Sequence, residues 1–337
     1  MSASSATPLR VGLIGLGRPG WHLIERFAAT GPFRVVAAYA DPSLAANVAS
    51  FGVRLVREPQ ELVAAADVDV IWFAEHDAFL SEFTAVDALR QKHTIVATPL
   101  ALSAAVAEQA FSEAARCNRL LLIHHPRRSD PDFRQVRDVA LDATHGVIRA
   151  VKFVSWSYGL PPRGAIRGLG PLPIDASSDA QNTKLRFAAH ALDQLLSLVS
   201  DRPIRVFATL DQTVAESSDL SAGYSVIIQI GFERGCQAEI DIRLDSPTQF
   251  QSGWLLTTER GGYANGKQFT LTEEGEVFDA PVPVPLAGGS HDDQFEWLSQ
   301  QLRSGVRDTL EESRVRTAVA LLDATQRSIK SGQAVEL

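Results

Sequence analysis

A short glycine-rich segment near the N-terminus restricts the possible folds of this chain more than any other feature. Residues 15–20 read GLGRPG, directly after the apolar run 11–15, and the apolar residues of 21–29 recur with helical spacing. In such a strand–turn–helix unit the first glycine permits a tight turn, the second lets a ligand approach the backbone, and the third lets helix and strand pack closely. The pattern predicts the first βα unit of an open α/β sheet, with a turn that binds a dinucleotide pyrophosphate.

An acidic residue after the next β-rich run supports this interpretation. Asp41 lies 21 residues after Gly20, the spacing at which a carboxylate accepts a hydrogen bond from the adenosine ribose. A carboxylate there would repel a 2′-phosphate, so the sequence favours NAD(H) over NADP(H). A plain glycine turn followed by a surface aspartate remains the alternative. The residues expected to contact the cofactor are Gly15, Gly17, Arg18, Pro19, Gly20, Asp41, Glu75, His76, Thr98 and Pro99.

The hydrophobic pattern predicts two domains. Strand-like and helical segments alternate over residues 1–125, which is typical of a Rossmann domain with a mostly parallel sheet. They include a predicted strand over 33–39 and a predicted helix over 104–116; later in the chain, the pattern predicts a strand over 237–243 and helices over 126–142, 292–304 and 311–331. After His125, consecutive strand patterns are separated by turn signals such as Asn265-Gly266, which predict a largely antiparallel sheet with helices on one face. The 337-residue chain is therefore predicted to be α/β, with a dinucleotide-binding domain at 1–125 and a substrate and oligomerisation domain at 126–337.

Composition excludes several other classes of protein. The net charge of −8 and the pI of about 5.5 argue against nucleic acids and anionic membranes as partners. No apolar run approaches the ~18 residues of a membrane helix, and the N-terminus lacks the apolar core of a secretory signal. Cys117 and Cys236 lie far apart in the sequence, so neither a disulfide framework nor a metal site is expected. A cytoplasmic protein is the resulting expectation.

With these features, the chain resembles the Gfo/Idh/MocA family (glucose–fructose oxidoreductase, inositol dehydrogenase, rhizopine catabolism). The similarity extends over nearly the whole chain, in the segments VGLIGLGRPG, AYADP, DVDVIWFAEHDAFL, KHTIVATPLALS, LLLIHHPRR, GVIRAVKF, AHALDQLL and LLDATQRSIKSGQAVEL. The resemblance implies a Rossmann domain, then an α/β domain with an open, largely antiparallel sheet, and nicotinamide-dependent oxidoreductase activity. It also implies a homo-dimer or homo-tetramer formed through the open sheet face.

The chain departs from the family pattern at its catalytic positions. Ala97-Thr98-Pro99 stands where the family has Glu-Lys-Pro, so Thr98 replaces the lysine that the family places beside the substrate hydroxyl. The second-domain pattern Asp-x-Gly-x-His-x-x-Asp corresponds to residues 186–193. His190 and Asp193 are kept there, whereas Arg186 replaces the first aspartate. The resemblance therefore implies a divergent member of the family.

The remaining candidates for acid–base catalysis lie around His190. Thr98 cannot act alone because its hydroxyl does not ionise near neutral pH, whereas an imidazole exchanges protons in that range. Arg186, one helical turn earlier, would keep His190 neutral or bind a substrate carboxylate. Asp193 would orient the ring or be a helix-surface acid, and Lys184 is a candidate replacement for the missing lysine. A structural histidine without a catalytic role is the alternative interpretation of His190.

A second group of residues is predicted to bind the substrate. His124 and His125 end a Rossmann strand, and such strand ends face the ligand crevice of open α/β sheets. Arg127 follows them at the family's conventional arginine position. Arg163 and Arg167 lie in a Gly/Pro-rich loop that borders the substrate pocket in the family. Helix-capping histidines and an exposed charged loop are the alternatives.

Local charge indicates an anionic substrate. Residues 124–190 contain ten Lys and Arg but six Asp and Glu, a net charge of +4 within a chain of net charge −8. Such a segment favours a small carboxylate- or phosphate-bearing ligand.

The sequence thus predicts an NAD(H)-dependent oxidoreductase acting on a sugar, polyol or sugar-acid-like substrate. Two alternatives stay open. One is a redox-inactive family member that binds a dinucleotide as a regulatory or scaffold protein, which the loss of the lysine and the first aspartate favours. The other is NAD-assisted lyase or glycosidase-type chemistry through transient oxidation.

Overall fold

The computed structural model describes residues 7–75, 82–158, 180–211, 225–243, 245–283 and 292–337, which form two compact units. The first unit comprises the described residues up to His125 together with 292–316, and the second comprises the other described residues. The division corrects the expectation of a continuous second domain from residue 126 to 337. Residues 292–316 belong to the first unit because Phe295, Leu298 and Leu302 are part of its hydrophobic core.

Six parallel strands form the sheet of the first unit, in the order β3-β2-β1-β4-β5-β6. They are β1 (Leu9–Ile14), β2 (Phe33–Tyr39), β3 (Arg54–Val56), β4 (Val70–Phe73), β5 (His93–Ala97) and β6 (Leu121–His124). The strand order reverses between β1 and β4, and open α/β sheets bind ligands at the carboxyl ends of the strands beside such a switch point. The predicted parallel Rossmann sheet is confirmed.

Helices and aromatic side chains complete the first unit. The helices are α1 (Arg18–Ala29), α2 (Ala45–Ala49), α3 (Pro59–Ala64), α4 (Glu82–Gln91), α5 (Ala104–Arg116) and, later in the chain, α8 (Asp292–Ser304). Ring centroids of Phe27 and Phe295 lie 4.8 Å apart, and those of Phe33 and Trp72 lie 5.3 Å apart. Burial of such large rings provides much of the stability of a core.

The second unit contains a nine-stranded mixed sheet among its described residues, in the order β14-β13-β12-β11-β7-β10-β9-β8-β15. Its strands are β7 (Ile148–Tyr158), β8 (Pro203–Asp211), β9 (Ser225–Phe232), β10 (Gln237–Arg243), β11 (Asp245–Thr258), β12 (Gly261–Ala264), β13 (Lys267–Leu271), β14 (Val277–Pro281) and β15 (Val335–Glu336). Of the paired strands described, β7 and β10 run parallel and the others antiparallel. The expected largely antiparallel sheet is therefore confirmed.

The two faces of this second sheet differ. On β10, Ala238, Ile240 and Ile242 are buried, and helices α6 (Pro131–Leu141) and α7 (Ala180–Leu198) pack in this unit. The other face carries the Lys152–Glu239 ion pair, 2.7 Å long, within a groove of about 740 Å³. One face thus forms the core and the opposite face is open.

Several local elements differ from the sequence expectations. The helix predicted over residues 126–142 is interrupted, because a 3₁₀ turn at Pro126–Ser129 ends and a new helix begins at Pro131, where proline suits the first helical turn. The short strands β3, β12, β14 and β15 were not predicted, since strands of this length show little periodicity. The last helix, α9 (Thr309–Ser331), begins two residues before its predicted start. Among the described helices, none is long and apolar enough to cross a membrane.

Candidate functional site

The glycine turn has the geometry that the sequence predicts. Gly15 has φ +94°, a backbone conformation that L side chains rarely adopt. Gly17 precedes α1 as its N-cap, without a side-chain cap, and Pro19 lies in the first helical turn. A Cβ at Gly20 would lie 2.0 Å from the Gly15 carbonyl oxygen, so the third glycine allows the close helix–strand approach. The turn therefore presents the N-terminus of α1 at the carboxyl end of β1, which suits an anion.

Glu75 lies against this turn. A Cβ at Gly17 would lie 1.9 Å from the Glu75 Oε1, and a Cβ at Gly15 would lie 3.3 Å from several Glu75 side-chain atoms. Glu75 follows β4, the neighbour of β1 in the sheet. The structure thus brings Glu75 to the glycine turn, and a phosphate bound over Gly17 would require the flexible carboxylate to turn aside.

Asp41 borders a groove at the ends of β1, β2 and β3. The groove has a volume of about 740 Å³ and is lined by Ile14, Gly15, Tyr39, Ala40, Asp41, Pro42, Ala45, Leu55, Val56, Arg57 and Pro59. Asp41 is exposed and its Oδ1 accepts a hydrogen bond from the Ser43 N–H at 2.8 Å. The Ser43 hydrogen bond holds the pKa of Asp41 below its usual range. The groove therefore offers an ionised carboxylate, as expected, and also the guanidinium of Arg57.

A second cluster lies at the carboxyl ends of β5 and β6. The Thr98 Oγ1 lies 2.8 Å from both the His124 carbonyl oxygen and the His125 Nδ1. His125 is 3 % exposed, and its Nε2 lies 3.7 Å from the Glu311 Oε1. The other oxygen of Glu311 accepts a hydrogen bond from Arg314 at 2.8 Å. Thr98 is partly exposed, whereas His125 and Glu311 are buried behind it.

These placements change what is expected of the two histidines. The His124 ring packs edge-on against Trp72, with ring centroids 5.3 Å apart, and stacks on Phe295 at 5.2 Å. The His125 ring is almost fully buried. Pro99, the last residue of the predicted cofactor set, follows Thr98 and is buried. The cluster thus lies at the carboxyl ends of β5 and β6, and within it the buried His125 contacts the partly exposed Thr98.

In the second unit, Arg128 forms an ion pair with Asp193. The Arg128 guanidinium donates to both carboxylate oxygens, over 2.8 and 2.6 Å, and Asp193 is 2 % exposed. The neighbouring Gln194 donates its amide hydrogen to the backbone oxygen of Arg127. A buried carboxylate needs such a partner. The alternative that Asp193 is a helix-surface acid is therefore wrong.

His190 lies one helical turn before Gln194 on α7 and is partly exposed. Burial lowers the pKa of His190 to about 4, and the nearby Arg127 lowers it further while Asp193 opposes the shift. His190 is thus neutral at pH 7 and can accept a hydrogen bond or a proton. The sequence predicts that Arg186 keeps His190 neutral. Among the described side chains, Arg127 lowers the pKa of His190.

Two acids beside Arg127 also have shifted pKa values. Burial raises the pKa of Asp130 to about 6, against the lowering effect of Arg127, and burial also raises the pKa of Asp132. The Arg127 Nη1 lies 3.7 Å from an Asp130 carboxylate oxygen. Acids and a histidine with shifted pKa values in one place are typical of functional sites.

The other predicted site residues are not described at the side-chain level. His76, Arg163 and Arg167 lie outside the described residues. Arg18 begins α1, and Lys184 and Arg186 lie in the first half of α7, but only their backbone is described. Their expected contacts with cofactor or substrate stay predictions.

Sequence reasoning missed four residues of these clusters. Arg128 and Asp130 belong to the run RRSD at 127–130, in which two arginines precede an acid, and this pattern could have indicated both. Arg57 follows β3, a strand that was not predicted. Glu311 lies 186 positions after His125, and only the packing of α9 brings it there.

Comparisons with known proteins agree with this geometry. Residues 9–125 match the GFO_IDH_MocA model, described as an oxidoreductase family with an NAD-binding Rossmann fold. The chain is 22 % identical to the myo-inositol 2-dehydrogenase of Thermotoga maritima over 240 residues, which cover 69 % of this chain and 68 % of the relative. It is 25 % identical to the rhizopine catabolism protein MocA of Rhizobium meliloti over 239 residues, 67 % of this chain and 72 % of the relative.

The fold is also found in a solved structure, that of an NAD-binding protein from Listeria innocua. The TM-score is 0.77 at 18 % identity, over 98 % of this chain and 100 % of the other. The fold, the glycine turn and the matched model together define an oxidoreductase with an NAD-binding Rossmann domain. Within that class, residues 9–125 match the Gfo/Idh/MocA family model, and the chain is similar to the two proteins named above.

Proposed function

We propose that this protein is an NAD(H)-dependent oxidoreductase that acts on a sugar, polyol or sugar-acid-like substrate. The observation that carries the proposal is the glycine turn at the N-terminus of α1, with Gly15 at φ +94° and Asp41 in the adjoining groove. The residues present fit a dinucleotide, because the glycine turn presents the N-terminus of α1 at the carboxyl end of β1, where its N–H groups suit a pyrophosphate. When bound, the dinucleotide supplies a nicotinamide ring that accepts or donates a hydride.

His190 is proposed to bind a substrate hydroxyl by accepting a hydrogen bond from it. Its ring is neutral because burial lowers its pKa to about 4, and a neutral imidazole offers a nitrogen lone pair. The buried Arg128–Asp193 pair holds the same helix, α7, through two hydrogen bonds. Arg127 is 44 % exposed at its side chain and is proposed to bind a carboxylate or phosphate of the substrate.

NAD(H) is proposed over NADP(H) because Asp41 is ionised and lines the groove at the end of β2. A ribose 2′-phosphate near that carboxylate would be repelled. Arg57 lines the same groove and would attract that phosphate. Fluorescence titration with NADH and NADPH compares the two effects directly. Tighter binding of NADPH would contradict the proposal.

We also propose a homo-dimer or homo-tetramer that uses the open face of the second sheet. The groove of about 740 Å³ on this face is bordered by Leu255, which is 37 % exposed, and by the Lys152–Glu239 pair. Light scattering coupled to size exclusion measures the molar mass. Leu255→Lys should dissociate the oligomer, and a monomeric wild-type protein would contradict this proposal.

The decisive experiment is turnover. Purified protein with NAD⁺ is assayed at 340 nm against myo-inositol, neutral aldoses and sugar acids such as gluconate. Oxidation of at least one of these, lost in His190→Asn and weakened for the sugar acid alone in Arg127→Gln, is the expected result. Tight NADH binding without turnover on the whole panel would instead support the redox-inactive alternative, which the replacement of lysine by Thr98 favours.

A further inference from the structure

At the carboxyl ends of β5 and β6, the partly exposed hydroxyl of Thr98 contacts a buried pair, His125 and Glu311. The Thr98 Oγ1 lies 2.8 Å from the His125 Nδ1, and the His125 Nε2 lies 3.7 Å from the Glu311 Oε1. All three residues belong to the first unit. We propose that Thr98, His125 and Glu311 form a proton relay, called here the Thr98 relay, in which Thr98 exchanges a proton with a ligand hydroxyl and His125 stores it.

The position of Thr98 is the first step of the argument. Thr98 follows the last residue of β5 and is partly exposed at the carboxyl edge of the parallel sheet. Ligands of open α/β sheets bind outside that edge. A hydroxyl at this place can hydrogen-bond to a ligand hydroxyl as donor or acceptor. The Thr98 hydroxyl does not ionise near neutral pH. It can therefore accept a proton from a ligand only if another group takes the proton that the hydroxyl already carries.

Glu311 determines which nitrogen of His125 can take that proton. A carboxylate 3.7 Å from Nε2 favours the tautomer that carries its hydrogen on Nε2. The Nδ1 then has a lone pair, and this atom faces the Thr98 hydroxyl at 2.8 Å. Arg314 donates to the other oxygen of Glu311 at 2.8 Å, which fixes the direction of the carboxylate. Glu311 is therefore a positioning residue.

The His124 carbonyl gives the relay its second state. The Thr98 Oγ1 lies 2.8 Å from this oxygen as well as from the His125 Nδ1, and one hydroxyl proton can point to only one of them. With Nδ1 unprotonated, the Thr98 hydroxyl donates to Nδ1. Once Nδ1 is protonated it donates to Oγ1, and the hydroxyl proton turns to the His124 carbonyl. Both states are hydrogen-bonded without movement of the backbone.

The proton transfer balances as follows when an alcohol is oxidised. The ligand O–H bond breaks and its proton bonds to the Thr98 Oγ1, while the original Thr98 proton moves to the His125 Nδ1. The carbon hydride leaves to an oxidised nicotinamide dinucleotide, so the alcohol becomes a carbonyl. His125 ends as an imidazolium beside Glu311, and reduction runs the same steps backwards. The reaction rests on the proposed function, whereas the hydrogen-bond arrangement does not.

The arrangement is tested without any substrate, by NMR of protein labelled with ¹⁵N-histidine. Long-range ¹H–¹⁵N correlations report which ring nitrogen carries the hydrogen, and His125→Gln identifies the resonances of this ring. We expect the Nε2–H tautomer in the wild type at neutral pH and a gain of the Nδ1–H tautomer in Glu311→Gln. The matched control is Glu312→Gln, whose carboxylate pairs with Arg307 instead. An Nδ1–H tautomer in the wild type would overturn the relay.

The proton transfer is tested with NAD⁺ and myo-inositol, or with the best substrate of the panel. Thr98→Val should lower kcat by about 10²–10⁴-fold, the usual contribution of a general acid or base, and Thr98→Ser should restore most of it. Thr94→Val is the control, because Thr94 is a fully buried hydroxyl on β5, the strand that precedes Thr98. A Thr98→Val enzyme with unchanged kcat would refute the role of Thr98. Absence of wild-type turnover would refute the proposed function alone, and the NMR result would still decide the arrangement.

Discussion

Replacement of Gly20 by alanine should destabilise the first unit. The new Cβ would lie 2.0 Å from the Gly15 carbonyl oxygen, 3.0 Å from its carbonyl carbon and 3.3 Å from the Ala74 Cβ. The two closest atoms are backbone and cannot turn away, so α1 would have to move from the end of β1 by more than about 1 Å to restore ordinary contact distances.

The size of the effect follows from two opposing contributions. Overpacking of this kind costs about 1–3 kcal/mol, and the helix preference of alanine over glycine offsets up to about 1 kcal/mol. The movement would also disturb the buried face of α1, where Trp21, Ile24 and Phe27 pack. We expect the free energy of unfolding of this unit to fall by about 1–2 kcal/mol, which lowers the melting temperature by about 2–8 °C for a domain of this size.

Gly17→Ala provides the contrasting case. Its Cβ would meet the Glu75 Oε1 at 1.9 Å, but this atom is the end of a flexible side chain that can rotate. The backbone of Gly17 has φ −67° and ψ −167°, a conformation open to any residue. Stability should change by less than about 0.5 kcal/mol. The added methyl group would nevertheless face a bound pyrophosphate, so the Kd for NADH should rise at least about tenfold, or 1.4 kcal/mol.

Two measurements separate these effects. Thermal and urea unfolding followed by far-UV circular dichroism gives the stability, and NADH fluorescence titration gives the Kd. Glu75→Ala in the Gly17→Ala background is the control, because it removes the clash with the carboxylate but keeps the methyl group. A Gly20→Ala protein with wild-type stability, or a Gly17→Ala protein that binds NADH normally, would show that the reasoning about this turn is wrong.

Three further predictions concern charge. The folded pKa of His190, about 4, lies below its ordinary 6.5, so the unfolded chain alone takes up a proton between these values and stability falls as the pH drops through this range. His190→Asn should remove this loss of stability, which is at most ~3 kcal/mol and smaller because the ring is partly exposed. The urea midpoint should therefore fall more between pH 7 and pH 4.5 in the wild type than in His190→Asn. An equal fall in both proteins would contradict the prediction. Arg128→Met should cost about 3–5 kcal/mol by leaving the buried Asp193 without its guanidinium, whereas Arg127→Met, at an exposed ion pair, should cost less than about 1 kcal/mol, as measured by urea unfolding. Asp41→Asn should reduce the ratio of NADPH to NADH dissociation constants by roughly tenfold, and an unchanged ratio would assign the preference to another group.

Prediction from the sequence worked best where one segment contains the whole signal. The turn at residues 15–20 combines a strand end, three glycines and a helix start, and each glycine has a local steric reason to be there. The strands Phe33–Tyr39 and Gln237–Arg243 and the helices Ala104–Arg116 and Asp292–Ser304 have the predicted bounds. Their apolar spacing over many residues leaves little ambiguity.

Prediction failed where the deciding partner lies far away in the sequence. Asp193 could be assigned to a helix but not to Arg128, 65 positions earlier, because ion pairs between elements leave no local pattern. For the same reason the arginine that lowers the pKa of His190 was sought on its own helix, whereas Arg127 has this effect.

The sequence by itself determined the class of fold, the glycine turn and the position of Asp41, since these depend on backbone sterics and on hydrophobic spacing within single segments. Only the tertiary structure decided that residues 292–316 belong to the first unit and that Glu311 faces His125. It also decided that Thr98 hydrogen-bonds to a buried histidine. The physical reason is that burial and charge act over distances of a few ångströms in space, and those distances exist only after the strands and helices have packed.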